Sequence, residues 1–249
     1  MIPYRDENAT IRTPIVTFVL IGLNALAWFM VQGAGADMQL ATSVCNWGLI
    51  PGELTLQAQP GSGFEMGVGF CEVDEGRAPL HVLTSMFLHG SWLHIIGNMW
   101  FLWLFGNNVE DSMGRGRFVI FYLLCGLGAA VFQVASSPNS IVPMVGASGA
   151  ISGVMGAYIV MFPRVKVYTL VPLGIFITTL ALPAWVMLGY WIAVQVLGGL
   201  RPSNGGVAFW AHVGGFVVGA LLIKFFARPD YLAQHKAHQG AQWRRRHRY

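Results

Sequence analysis

Six times along this sequence a run of roughly 15 to 21 residues passes with no acidic side chain and at most one basic one, and no other feature restricts the fold so strongly. The runs lie at about 15–32, 91–108, 118–135, 148–162, 184–199 and 207–227, divided by polar stretches or Gly/Pro breaks. Crossing a hydrocarbon core takes roughly 20 apolar residues of helix, so these runs leave little sequence for a separate soluble domain. Composition agrees, with 55% of residues hydrophobic and 10% charged, where an ordinary soluble domain carries about 25% charged residues. The expected fold is an all-α polytopic membrane protein of six transmembrane helices with a long first loop. Residues 1–14 are then a cytoplasmic N-terminal segment, 15–227 one membrane domain and 228–249 a basic cytoplasmic tail.

An even number of spans puts both termini on one side. Arg5, Arg12, Arg115, Arg117, Arg164, Lys166, Lys224, Arg228 and Lys236 share that side, and only Arg77 and Arg201 oppose them. The positive-inside bias makes the shared side cytoplasmic and places the chain in a cell's inner membrane. Arg244, Arg245, Arg246 and Arg248 crowd the end of the tail, a pattern suited to anionic headgroups of the lipid bilayer. Only Trp243 and Tyr249 accompany them, so no nucleic-acid partner is expected. Ala34-Gly35-Ala36 resembles a signal-peptide cleavage site, but the first run's length and the five runs that follow predict an uncleaved anchor.

The loop at about 33–90 carries Asp37, Glu53, Glu65, Glu72, Asp74 and Glu75, together with Cys45 and Cys71. In an oxidising compartment those two cysteines either pair or stay free; spacing alone leaves both open. The stretch 168–183, with Pro172 and Pro183, is expected to be an interfacial helix or turn. The fourth run is too short to cross an average bilayer unaided. Its uncharged approach, Ser136 to Ala147, is expected to dip inward as irregular backbone, tolerable at depth only where protein or a wet cavity satisfies it.

Chemistry-bearing residues fall on three of the runs. Ser148, in Gly146-Ala147-Ser148-Gly149, opens the fourth helix, where unpaired N–H groups and the positive end of the helix dipole suit an oxyanion. His212 lies near the start of the sixth run, and an ionisable residue inside an apolar span points to function. Gly149 with Gly153, and Gly215 with Gly219, give both helices a small-residue face that permits close approach. Ser148 and His212 are thereby expected at similar depth on neighbouring helices, with the imidazole placed to take the serine proton. In the second run His94 and Asn98, four residues apart, share one helical face and supply N–H donors of the kind that stabilise a tetrahedral oxyanion.

His94-xxx-Asn98, Gly-Ala-Ser148-Gly and Ala-His212-xx-Gly, in this order on the second, fourth and sixth runs, resemble the signature of the rhomboid proteases. The resemblance covers roughly residues 15–227 and implies a rhomboid-like bundle. It implies Ser148 as nucleophile, His212 as general base, His94, Asn98 and the Ser148 N–H as oxyanion hole, and Glu110 as a structural polar anchor. Two departures stand out. Some members carry Trp-Arg in the first loop where this chain has Leu80-His81. Some stack a tyrosine on the catalytic histidine from the position held here by Ser152, so the ring of His212 must be oriented by other neighbours.

No Asp or Glu falls within the six runs, which predicts a Ser/His dyad without a buried carboxylate and excludes an aspartyl protease. No His-Glu-xx-His occurs and His81, His89 and His94 lack ligand spacing, so neither metal nor cofactor is expected. The expected activity is that of an intramembrane serine endopeptidase. Its partners would be transmembrane protein substrates containing helix-destabilising or small residues, because a helical peptide must unwind before its carbonyl can be attacked. The fifth run and Gly198 to Gly206, punctuated by glycine and Pro202, are the expected entrance. The rivals are a proteolytically silent rhomboid-like protein that binds membrane segments, and a small transporter using its histidines as a proton path. No oligomeric state is assigned.

Overall fold

The computed structural model describes residues 1–59, 61–67, 69–73, 78–174, 176–201 and 207–246. Expectations resting on Asp74, Glu75, Arg77, Arg248, Tyr249 and the 202–206 part of the entrance loop lie outside the described residues. Each of the six apolar runs is helical. A short strand β1 (Ile2–Asp6) precedes helix α1 (Ile15–Met30). The first loop folds into α2 (Asp37–Trp47), a turn of helix α3 (Pro51–Leu54), a hairpin of β2 (Gly63–Met66) and β3 (Gly69–Glu72), and α4 (Ala78–Thr84). The second run comprises α5 (Trp92–Phe101), a π-helical stretch at Leu102–Gly106 and α6 (Asn107–Met113). Then come α7 (Arg115–Ser136), α8 (Ser148–Met161), strands β4 (Lys166–Leu173) and β5 (Phe176–Pro183), α9 (Ala184–Gly199), α10 (Phe209–Phe226) and α11 (Pro229–Arg246). Among the described residues only α7 and α10, at 22 and 18 residues, are single helices long and apolar enough to cross a membrane.

The centre of the bundle is α8, almost wholly buried against α7 and α10. Its glycines explain that position. A Cβ built on Gly215 would stand 2.0 Å from the Gly149 carbonyl oxygen, and one on Gly219 would stand 2.0 Å from that of Gly153. The two helices therefore meet backbone to backbone, as small residues allow where apolar burial alone drives no association. Tyr158, fully buried near the far end of α8, packs edge-on against Phe105 at 5.0 Å and donates to Asp6 Oδ2 at 2.6 Å.

The stretch 168–183, expected as an interfacial helix or turn, belongs instead to a β-hairpin over residues 166–183. Val167, Tyr168, Thr169 and Val171 favour strand, and β4 has a partner far away in the chain. The sheet order is β1-β4-β5, with Ile2 opposite Leu170 and Asp6 opposite Val167. The expectation of an acid-free bundle is also corrected. The second helical run continues to Met113, so Glu110 and Asp111 lie within it, both buried. Glu110 accepts from the Val16 and Thr17 N–H groups and from Thr17 Oγ1, capping α1, whose N-terminus has no other side-chain cap. Asp111 accepts from the Ile11 and Arg12 N–H groups and from His235 Nδ1 at 2.7 Å. His235, on α11, also reaches Asn8 Oδ1 at 2.8 Å, so the segment read as a tail is in part a helix packed beneath the bundle. Burying such charges without partners costs several kcal/mol; here each carboxylate closes a gap between elements.

The first loop is tied down at both sides of the site. Cys45 and Cys71 are joined as a disulfide. Leu49 and Met144 exchange backbone hydrogen bonds of 2.9 and 2.7 Å, Gly52 N–H donates to Ser140 O at 2.8 Å, and Gly146 N–H donates to Ser85 O at 2.9 Å. The irregular approach to α8 thus finds hydrogen-bond partners in the loop.

Candidate active site

Helix α8 begins at Ser148, two residues after Gly146, whose φ of +130° turns the chain towards the helix. This conformation suits glycine, and space demands it as well. A Cβ there would lie 2.8 Å from His94 Nε2 and 3.3 Å from Ser148 Oγ. The start of α10 is placed by Gln133 on α7, whose Oε1 accepts from the Ala211 N–H at 3.2 Å. One residue later His212 points its Nε2 at Ser148 Oγ, 2.8 Å away. Its Nδ1 lies 2.8 Å from Oε1 of Gln195, on α9. An amide oxygen only accepts, so Nδ1 carries the ring proton and Nε2 offers its lone pair to the serine hydroxyl.

Across the site stands α5. Ser91 caps it, accepting from the His94 N–H at 3.2 Å, and the turn before it is pinned by Gln32, whose amide exchanges hydrogen bonds of 2.7 and 2.8 Å with the His89 backbone. The Gly90 N–H donates to His94 Nδ1 at 3.3 Å, which leaves the proton on Nε2, the nitrogen facing Gly146 and Ser148. His89, just before the helix, is fully buried 5.1 Å from the His94 ring, and burial, then that neighbouring imidazole, push it down to about 3. Asn98 is 8% exposed, and its Nδ2 has no hydrogen-bond partner among the described residues. A buried donor left unpaired is costly unless something else is meant to accept from it.

These groups line one cavity of about 610 Å³, walled by Gly97, Asn98 and Phe101 on one side and by Trp191, Gln195 and His212 on the other. Ser148, His212, His94 and Asn98 are all brought to it. Glu110 lies elsewhere, capping α1. The buried carboxylates Glu110 and Asp111 likewise hydrogen-bond at the base of α1 and to α11, and it is an amide that occupies the Nδ1 side of His212. Two neighbours of His212 escaped the sequence reading. Gln195 is the only Gln, Asn or charged residue in the fifth run, the signal that could have found it. Trp191, whose ring centroid lies 5.8 Å from the imidazole at 41°, stands where Ser152 offers no aromatic face, and one tryptophan among nine carries no such signal.

Comparison with known proteins identifies the family. The family model described as the Rhomboid domain matches residues 77–229. RHOMBOID-like protein 4 of Arabidopsis thaliana is 32% identical over 183 residues, which are 73% of this chain and 41% of that protein. Rhomboid protein 1, mitochondrial, of Saccharomyces cerevisiae is 28% identical over 59% of this chain and 42% of its own length. Rhomboid protease GluP of Bacillus subtilis is 27% identical over 83% of this chain and 34% of its own length. The chain thus spans about two fifths or less of the length of these curated relatives. With the domain matched over more than half of its residues, the chain belongs to the rhomboid family of membrane-embedded proteins.

Proposed function

We propose that this protein is an intramembrane serine endopeptidase that cleaves transmembrane segments with Ser148 and His212. The observation that carries the reading is the 2.8 Å approach of Ser148 Oγ to His212 Nε2 inside a cavity that also brings in His94, Asn98 and Gln195. Ser148 attacks the peptide carbonyl carbon while His212 Nε2 takes the hydroxyl proton, later delivering it to the departing amine; water then releases the acyl group. The oxyanion is met by the Ser148 N–H, by Asn98 Nδ2 and by His94 Nε2, donors aimed into the cavity before substrate arrives.

In this proposal six helical segments cross the membrane: α1, the continuous run from α5 through α6, and α7, α8, α9 and α10. Both termini are cytoplasmic and the cavity opens to the outer side of a cell's inner membrane, the arrangement that the distribution of basic residues favours. Helix α8, with 14 residues, is about 21 Å long, against about 30 Å of hydrocarbon. Ser148 therefore sits below the outer surface, within reach of water entering from that side. Substrates are membrane segments containing Gly, Pro or small residues, which unwind at lower cost.

The test is cleavage of a fluorescent transmembrane substrate by the full chain in proteoliposomes, beside Ser148→Ala and His212→Ala. Both variants are expected to lose activity, and a serine-directed fluorophosphonate is expected to label Ser148. Cleavage by either variant at the parent rate would contradict the dyad. Binding of membrane segments without cleavage would favour the silent rhomboid-like alternative.

A further inference from the structure

Helix α9 is partly or fully exposed throughout its second half except at Gln195. Tyr190, Val194, Leu197 and Leu200 are 52%, 40%, 60% and 67% exposed, and between Trp191 and Leu200 only Gln195 is buried, at 8%. An amide placed inward on such a helix is unfavourable unless it finds a partner. Its partner is the imidazole, through Oε1 at 2.8 Å from His212 Nδ1.

We propose that Gln195 is the positioning residue of the Ser148–His212 pair: it takes the place that a carboxylate fills in a triad, fixing His212 in the Nδ1–H tautomer with Nε2 free to accept the serine proton. This rests on the proteolytic reading above. Without an acceptor at that point, no other hydrogen-bond partner of Nδ1 among the described residues selects the tautomer, and the Nε2–H form, which has no lone pair for Ser148, becomes accessible. Trp191, one turn earlier on the same helix, bounds the ring's face but offers no acceptor. An amide holds the tautomer without stabilising the imidazolium as an ionised carboxylate does. Among the described residues the only other titratable side chain lining the cavity is His94, which faces the site from α5.

The test uses the full chain in proteoliposomes and three variants. Gln195→Met keeps length and apolar fit but removes the acceptor. Gln195→Glu keeps an acceptor and adds charge, and Ser148→Ala gives the background. With Met, kcat is expected to fall about 10- to 100-fold, the range typical of lost orienting partners, while KM stays within about twofold of the parent. With Glu, most of kcat returns and the acid limb of the pH profile moves to higher pH, because the carboxylate favours the protonated imidazole and the base must be neutral to act. Histidine-selective ¹⁵N spectra, assigned with His212→Ala, are expected to show Nδ1–H in the parent and mixed tautomers with Met. Parent kcat with Met, equal loss with Met and Glu at an unshifted pH profile, or an unchanged tautomer with Met would each overturn the proposal. If the parent itself cleaves nothing, the proteolytic reading falls, while the ¹⁵N spectra still decide what Gln195 does to the ring.

Discussion

Replacing Gly215 by alanine puts the packing argument to a quantitative test. The new Cβ would stand 2.0 Å from the Gly149 carbonyl oxygen, where an ordinary contact begins at 3.4 Å, so α8 and α10 must part by about 1.4 Å beside the site. His212 is less than one turn from Gly215, and Ser148 adjoins Gly149. The 2.8 Å approach of Ser148 Oγ to His212 Nε2 then opens to about 4 Å, beyond hydrogen-bonding reach. Overpacking of this kind costs about 1–3 kcal/mol of stability, and misplacing reacting groups by about 1 Å costs on the order of 100-fold in rate. Substrate cleavage and fluorophosphonate labelling in proteoliposomes measure the second effect, and thermal unfolding in detergent measures the first. Gly116→Ala and Gly189→Ala are the controls, since a Cβ at either meets nothing within 4 Å. Gly215→Ala is expected to remain folded at low temperature and to cleave about 100-fold more slowly, with both controls close to the parent. A Gly215→Ala protein with the parent's rate and unfolding temperature would refute the backbone-to-backbone packing.

Asn98→Ala removes a buried donor that has no partner among the described residues, so it is expected to lower kcat about 100-fold with little change in unfolding temperature; a large loss of stability would mean that Asn98 holds the bundle instead. Asp6, raised from 3.8 to about 6 by burial, binds its proton more tightly folded than unfolded. Its proton-linked stabilisation is complete below about pH 4 and disappears as pH rises through about 6, at most about 3 kcal/mol. Asp6→Asn is expected to flatten the unfolding-temperature profile between those values, and an unaltered profile would show that the titration lies elsewhere.

The positions of the helices were legible because each apolar run is continuous and ends in polar or Gly/Pro punctuation; α8 and α9 start at the expected residues, Ser148 and Ala184. The small-residue faces were legible too, since Gly149, Gly153, Gly215 and Gly219 recur at helical spacing. What escaped depends on partners remote in the chain. The strands β4 and β5 look like an interfacial stretch until β1, more than 150 residues earlier, supplies a ladder. Glu110 and Asp111 look like loop acids until α1 arrives with uncapped N–H groups. Gln195 was less legible because, unlike Asn98 beside His94, it has no His, amide or charged companion on its own helix, and its partner His212 lies on the next one.

The meeting of Asn8, Asp111 and His235 bears on the order in which the protein is made. Asn8 also accepts from Gln239, and Asp111 joins the Ile11–Arg12 backbone to α11, so three stretches over 100 residues apart converge at one point. A nascent chain has Asn8 and Asp111 long before it has His235. Until residue 235 has left the ribosome, the helices above can pack but this junction stays open to water. Any product released by premature termination or clipping ahead of α11 carries the whole Ser148–His212 pair and lacks the piece that closes the bottom of the bundle.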